Sequence, residues 1–279
     1  MGSIDLHSHS NASDGDLSPQ DLVAAAAGAG ITTLALTDHD TLAGVERALS
    51  AAQEFQMTVV SGCEFSVRVR WGELHLLGYF LPPDDPQLES FLSIQRKNRV
   101  SRAAHMVEKL NELGVDITVD HVKDASQGET LGRPHVARAL VHLTKVGSVQ
   151  EAFDRYLGNG RPAFAPKELP DLADVTALVR SIGAVTSAAH LGDRASRSAV
   201  DELVEDGVDA LEAIHPSHDE STQRRVTELA ADAGLLLTGG SDWHGASLQR
   251  QGRGSLGSAD VPVEWFEQLV DLARTRENV

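Results

Sequence analysis

The sequence predicts an α/β fold, in which the strands of one sheet alternate with helices and a purely helical stretch interrupts them. Three observations support this. Short apolar runs recur, separated by segments of helical period. The 279 residues suit one barrel-sized domain carrying an insertion. Successive strand candidates end in histidine or a carboxylate, which a shared functional rim at the strands' carboxyl ends would collect.

The elements follow in order. Residues 4–7 form a short apolar strand. Ser18-Pro19 supplies an N-cap and a first-turn proline, and DLVAAAAGAG follows as a helix closed by glycine. TTLALTDHD is a strand and its loop. TLAGVERALSAAQEF is a helix with Val45, Leu49 and Phe55 near one face. MTVVSGCEFSV is a third strand and ELHLLGYF a fourth, paired with SVRVR as a hairpin. Strand, helix, strand, helix implies a parallel sheet with helical crossovers. After PPDDP, strand patterns cease apart from VDITV. FLSIQRKNRVSRAAHMVEKLNELG, RPHVARALVHL and SVQEAFDRYLG read as successive helices. The expected division is a barrel domain at 1–85 and 161–279, with a helical insertion at 86–160. Alternation resumes after RPAFAPKELP. DLADVTALVRSIG, AVDELVEDG, STQRRVTELAADAG and VEWFEQLVDLARTR are helices; AVTSAAH, ALEAIHP and LLLTGGSD are the strands between them.

Composition narrows the function. Apolar residues make up 41% and charged residues 23%, and the formal charge is −17. That balance argues against a broad surface for duplex nucleic acid or an acidic membrane. An anionic substrate stays open, because bound cations reverse the local sign. Cys63 is the only cysteine, so no disulfide forms within the chain and an oxidising compartment is not implied. No basic segment followed by an apolar run opens the sequence, and LVAAAAGAGI is too short to span a bilayer. The expectation is a cytoplasmic protein.

The strand ends carry the chemistry. The first ends in His7-Ser8-His9, with Asp14 five residues on. The second ends in Asp38-His39-Asp40, the third in Cys63-Glu64, and the fourth carries His75. Later strands end at His190, at His215-Pro216-Ser217-His218, and at Ser241-Asp242-Trp243-His244. Crowded carboxylates repel one another and buried imidazoles need partners; divalent cations resolve both problems. Histidine with aspartate and glutamate, without thiolates, suits zinc, manganese or iron. Asp38 and Asp40 also fit a helix-capping loop. Asp5 fits either a hydrogen-bond acceptor for a ligand histidine or a strand cap.

The signatures DLHSHSNASDG, LTDHDT, GCEFS, SAAHLG and GGSDWHG, in this order, resemble the PHP family of metal-dependent phosphoesterases, named for polymerase and histidinol phosphatase. GRPHVARAL in the insertion and HPSH after it resemble the branch that holds 3′,5′-nucleoside bisphosphate phosphatases and 5′–3′ exoribonucleases. The resemblance implies a distorted (β/α)7 barrel with a helical insertion. It also implies two or three divalent ions, manganese foremost, with iron or zinc as alternatives. His7, His9 and Asp242 would hold one ion, with Glu64 bridging; Asp14, His39 and His244 a second; Glu64, His75 and His190 a third. Many relatives have histidine where Asp14 stands, and Leu191 stands where they often have proline.

The implied reaction is attack on phosphorus by a hydroxide held between the ligands, since a coordinated water ionises near pH 7. Asp40 or a coordinated water would move the leaving-group proton. Arg133 and His135, opening a helix, form an anion site for a second phosphate, with Arg194, His215 and His218 as further contacts. Arg133 also reads as a surface arginine, and His215 and His218 as structural. QRKNRVSR is either a solvated face or a guide for an oligonucleotide. The expected substrate is a nucleoside 3′,5′-bisphosphate such as pAp, converted to AMP, with short 5′-phosphorylated RNA as a second. Histidinol phosphate, cyclic phosphates and a silent metal- or nucleotide-binding regulatory role are the alternatives.

Overall fold

A computed structural model of the chain describes residues 3–126, 128, 130–246 and 254–277. The fold is mixed α/β around a seven-stranded sheet in the order β1-β2-β3-β4-β5-β6-β7. The strands are β1 (Ser3–Asp5), β2 (Ile31–Leu36), β3 (Thr58–Val69), β4 (Gly72–Tyr79), β5 (Val185–Ala188), β6 (Ala210–Ile214) and β7 (Leu236–Gly239). The sheet is parallel except for β4, which runs antiparallel to both neighbours. The antiparallel β3–β4 pair is the hairpin expected there; the antiparallel pairing of β4 with β5 is added to it. The long β3–β4 hairpin turns at Arg70-Trp71, where Val69 faces Gly72, and SVRVR with ELHLLGYF are its two arms. β1 and β7 share no ladder among the described residues. Beyond them, however, Leu6 N–H donates to Gly239 O at 3.1 Å and His9 N–H to Trp243 O at 2.9 Å.

Helices cover the parallel segments. α1 (Pro19–Gly28) starts as its cap predicts, with Ser18 Oγ accepting from Asp21 N–H. α2 spans Val45–Phe55, but its buried face is Val45, Ala48, Ala51 and Ala52, whereas Leu49 is 39% and Phe55 41% exposed. The expected apolar stripe is corrected: an alanine face packs closely on Leu22, Val23 and Ala26 of α1, and the larger residues fall outside that contact.

The segment after β4 is helical: α3 (Pro86–Glu112), α4 (Val119–Asp124), α5 (Arg133–His142) and α6 (Val149–Ala152), which continues as a π turn over Phe153–Leu157. These helices share an apolar cluster of their own, including Met106, Leu110, Ile117, Val136, Leu140 and Leu157. VDITV is not a strand. Ile117 and Val115 are buried in that cluster, and the Asn111 amide takes the place of a strand partner by bonding Ile117 O at 2.8 Å. The chain returns through α7 (Leu172–Ser181), α8 (Arg197–Glu205), α9 (Glu220–Ala233) and α10 (Val263–Glu277), alternating with β5 to β7. No helix of the described residues is long and apolar enough to cross a membrane.

Candidate metal centre

The parallel strands all open towards one end, and the residues just past their carboxyl ends meet there. His7 and His9, two residues apart on an extended segment, share a face, and their ring centroids lie 5.2 Å apart. His39, just past the end of β2, opposes Glu64 in the middle of β3. The antiparallel β4 brings His75 in from mid-strand, opposite Ser66. β7 passes so close to β1 that a Cβ on Gly240 would lie 2.4 Å from His7 N, so glycine is required there. His190 (φ 33°) and Asp242 (φ 48°) are held in left-handed backbone, a strain that the surrounding packing has to impose.

Three groups of side-chain donors form among the residues named from the sequence: His7, His9, Glu64 and Asp242; His9, Asp14, His39 and His244; and His39, Glu64 and His75. Glu64 is the hub. Its Oε2 lies 3.1 Å from His9 Nε2, 3.2 Å from His39 Nδ1 and 3.3 Å from His7 Nε2. Its Oε1 lies 2.7 Å from His75 Nδ1 and 3.1 Å from His190 Nε2. In the third group His39, rather than His190, completes the set. Asp14 Oδ1 sits 3.3 Å from His244 Nε2, and Asp242 Oδ1 3.3 Å from His9 Nε2.

The donor atoms fit cations. His7 Nε2, both ring nitrogens of His9, His39 Nδ1 and Glu64 Oε2 are buried without a hydrogen bond, a costly arrangement unless another partner binds them. Burial opposes ionisation of Glu64, but the imidazoles of His75, His39 and His7 hold its carboxyl well below the usual range. Asp14 and Asp242 are likewise held low by neighbouring histidines against the penalty of burial. Burial also disfavours the charged form of His9, yet Asp242 and Glu64 push its pKa up to about 10. A divalent cation would take over the charge that protons balance here. Manganese at a hundredfold excess over its Kd is therefore expected to stabilise the fold by about 2.7 kcal/mol. The measurement is a thermal melt of the chelated protein with and without the ion; an unchanged melting temperature would exclude cation binding by the native cage.

A layer behind the cage orients it. Glu212, in the middle of β6, is fully buried; its Oε1 lies 2.8 Å from His7 Nδ1, and its Oε2 accepts the His190 N–H at 2.7 Å. Glu212 also forms a fourth donor group with His7 and His215. The sequence reading missed it, although a lone glutamate inside the apolar strand ALEAI was the available signal. Asp5 bonds no imidazole. It accepts the N–H groups of His7, Ser241 and Gly257, tying both end strands together. Asp38 orders the His9 loop through Ser10 and Ser13.

Most of the cage residues line a cavity of about 700 Å3. Arg99 and Arg102 of α3, Arg133 and Arg138 of α5, and Lys167 also line it. Of these only Arg133 was singled out from the sequence. Arg99 and Arg102 extend from the basic stretch QRKNRVSR and face inward. Burial, with Arg99 nearby, pushes Lys167 down to about 8 while it pairs with Glu73 and Ser66. Glu73 in turn meets His75 Nε2 at 3.2 Å.

His215 lines the cavity, 3.4 Å from Asp242 Oδ2. His218 does not: its Nε2 accepts the Gly192 N–H and its Nδ1 donates to Ala213 O, which fixes a loop. His135 is also outside the lining. Its Nδ1 accepts the Gly132 N–H at the start of α5, and burial lowers its pKa to about 4, so it caps the helix as a neutral ring. Arg194 donates to Glu73 O at 2.7 Å and stacks on Trp71. Asp40 lies behind the lining, where its carboxylate binds Arg99 Nε at 2.6 Å. None of these four residues is among the described residues lining the cavity. Cys63 is fully buried, and burial raises its thiol pKa well above the ordinary value.

The comparisons with known proteins agree with this geometry. The PHP domain family matches residues 5–174. The 5′-3′ exoribonuclease of Haemophilus influenzae is 34% identical over 245 residues, covering 86% of this chain and 89% of that protein. The 3′,5′-nucleoside bisphosphate phosphatase of Chromobacterium violaceum is 31% identical over 252 residues, 88% of each chain. The crystal structure of a provisionally assigned metal-dependent phosphoesterase from Bifidobacterium adolescentis superposes with a TM-score of 0.87 at 30% identity, covering 96% of both chains.

Proposed function

The chain belongs to the PHP domain family and is a metal-dependent phosphoesterase; from that premise we propose that it removes the 3′-phosphate of nucleoside 3′,5′-bisphosphates, converting pAp to AMP, and trims short RNA from a 5′-phosphorylated end. The observation that carries this reading is one cavity lined both by the donor cage, which would attract anions once it holds cations, and by Arg99, Arg102, Arg133, Arg138 and Lys167. A substrate with two phosphates can engage both at once.

The cage residues His7, His9, Asp14, His39, Glu64, His75, His190, Asp242 and His244 would hold two or three divalent ions. Manganese is foremost and iron or zinc are alternatives; the carboxylate of Asp14 favours the harder metals. When bound, such ions bring the pKa of a coordinated water to about 7 and polarise phosphoryl oxygens. The protein's own part is to hold the donors in register through Glu64 and Glu212, and to keep the second phosphate against the arginines. Arg133 offers a guanidinium fork and His215 a ring at the cavity wall.

The same reading takes the sheet as a distorted (β/α)7 barrel, supported by the hydrogen bonds from Leu6 and His9 across its end strands. Residues 1–85 and 161–279 form the barrel domain and 86–160 the helical insertion, supported by the separate apolar cluster of the helices. The net charge of −17 weighs for a small nucleotide or short RNA partner over duplex DNA or an acidic membrane, and a single cysteine fits a cytoplasmic setting.

The test is phosphate release by the manganese-reconstituted enzyme from pAp, histidinol phosphate, cyclic phosphates and 5′-phosphorylated RNA. Preference for pAp is expected; preference for histidinol or cyclic phosphates would reassign the substrate, and binding without release would favour a regulatory role. Single turnover in 18O-water should label the phosphate. Arg133→Ala should raise KM for pAp by roughly 10- to 100-fold, as expected for a charged hydrogen bond, and change that for p-nitrophenyl phosphate far less. Equal changes for both would remove Arg133 from substrate binding.

A further inference from the structure

Charged and polar side chains dominate the cavity lining, interrupted by Pro134, Val149, Phe153 and Pro216. Phe153 is the only phenyl, phenol or indole ring among its described lining residues, and Val149 lines the cavity beside it. The two are four residues apart, so they share a face where α6 runs into the π turn. The turn is closed by Gly158 N–H donating to Phe153 O at 2.9 Å. Such wide turns re-aim side chains and often occur at functional sites. The Phe153 ring is also held. It packs on the helical cluster, and the Arg133 guanidinium carbon lies 5.8 Å from its centroid and 5.8 Å from that of Phe164, within cation–π range.

A fixed apolar ring at the edge of a charged cavity calls for a flat apolar partner, because water solvates the ring face poorly. We infer that Phe153, flanked by Val149 and steadied by Arg133, is the platform on which the nucleobase of the substrate stacks. This rests on the nucleotide reading above and deepens it: the helical segment would recognise the base, while the cage and the arginines take the phosphates. A cavity of about 700 Å3 has room for a nucleotide-sized ligand. Neither Val149 nor Phe153 carries a side-chain donor or acceptor, so the platform accepts any base; every base has a π face. Purine and pyrimidine nucleotides should therefore bind within a few-fold of one another, purines more tightly.

The experiment compares adenosine 3′,5′-bisphosphate with the ribose 3,5-bisphosphate that lacks a base, by calorimetric binding and by phosphate release from the manganese-loaded full chain. The wild type should favour the base-bearing compound by roughly 5- to 100-fold, the range found for stacking on one aromatic ring. Phe153→Leu keeps the apolar packing and removes the π face. It should lower the base-bearing compound's affinity far more than the abasic compound's, so that most of the preference is lost; the ratio between the two compounds is the readout. Phe153→Trp should retain the preference. If wild type handles both compounds equally, or if Phe153→Leu weakens both equally, the platform is overturned while the phosphatase reading stands. If base-dependent binding persists but neither compound releases phosphate, the phosphatase reading fails and the platform stands.

Discussion

Glu64→Gln is expected to abolish turnover and to cost the protein bound metal at more than one position. The substitution preserves volume and removes one negative charge at the point where the donor groups join. Glu64 belongs to two of the donor groups, and its two oxygens are approached by His7, His9, His39, His75 and His190. An amide offers one acceptor oxygen where the carboxylate offers two, and its NH2 group faces imidazoles that must stay free to ligate. A water released from its cation returns towards a pKa of 15.7 from about 7, so a loss in kcat of roughly a thousandfold or more follows. Metal content by mass spectrometry should fall by at least one ion per chain, while the chelated variant melts near the chelated wild type. A variant that retained its metal and its kcat would refute the cage.

Glu212→Gln should weaken metal binding by about 10- to 100-fold, the usual effect of removing the acceptor behind a ligand histidine. Burial disfavours protonation of His7, but Glu212, with Asp242 and Glu64, keeps its pKa well above the ordinary value. That acceptor fixes the Nδ1–H tautomer and turns Nε2 towards the cage. The second Glu212 oxygen holds the His190 backbone N–H, at a residue with φ of 33°. One carboxylate therefore orients two cage histidines without lining the cavity. The readout is metal affinity by chelator competition, with KM for pAp measured at saturating metal. A positioning role predicts that excess manganese restores much of the activity. A loss of kcat that saturating metal leaves untouched would show that Glu212 acts directly in the reaction.

Much of this was legible in the sequence. The strand–helix rhythm depends on periods of 2 and 3.6 that each segment carries locally, so elements such as α1, the β3–β4 hairpin and α7 to α10 follow from their own residues. Most of the residues that converge at the rim were also readable, because histidine and carboxylates recur at or near the strand ends and core packing has no use for them there. VDITV shows the limit: its alternation is real, but it feeds a helical cluster, and a segment cannot specify what it packs against.

The partners were decided by the tertiary structure. Glu212 meets His7 across 205 residues of chain, and Arg99 reaches Asp40 across 59; neither pairing leaves a local pattern. His135 and His218 look like site residues in sequence, yet His135 Nδ1 accepts the Gly132 N–H, and the ring nitrogens of His218 meet Gly192 N–H and Ala213 O. Chain composition determines which chemistry a protein can carry. Which ring nitrogen points into the cavity, and which is used up behind it, depends on packing that brings distant strands to one rim.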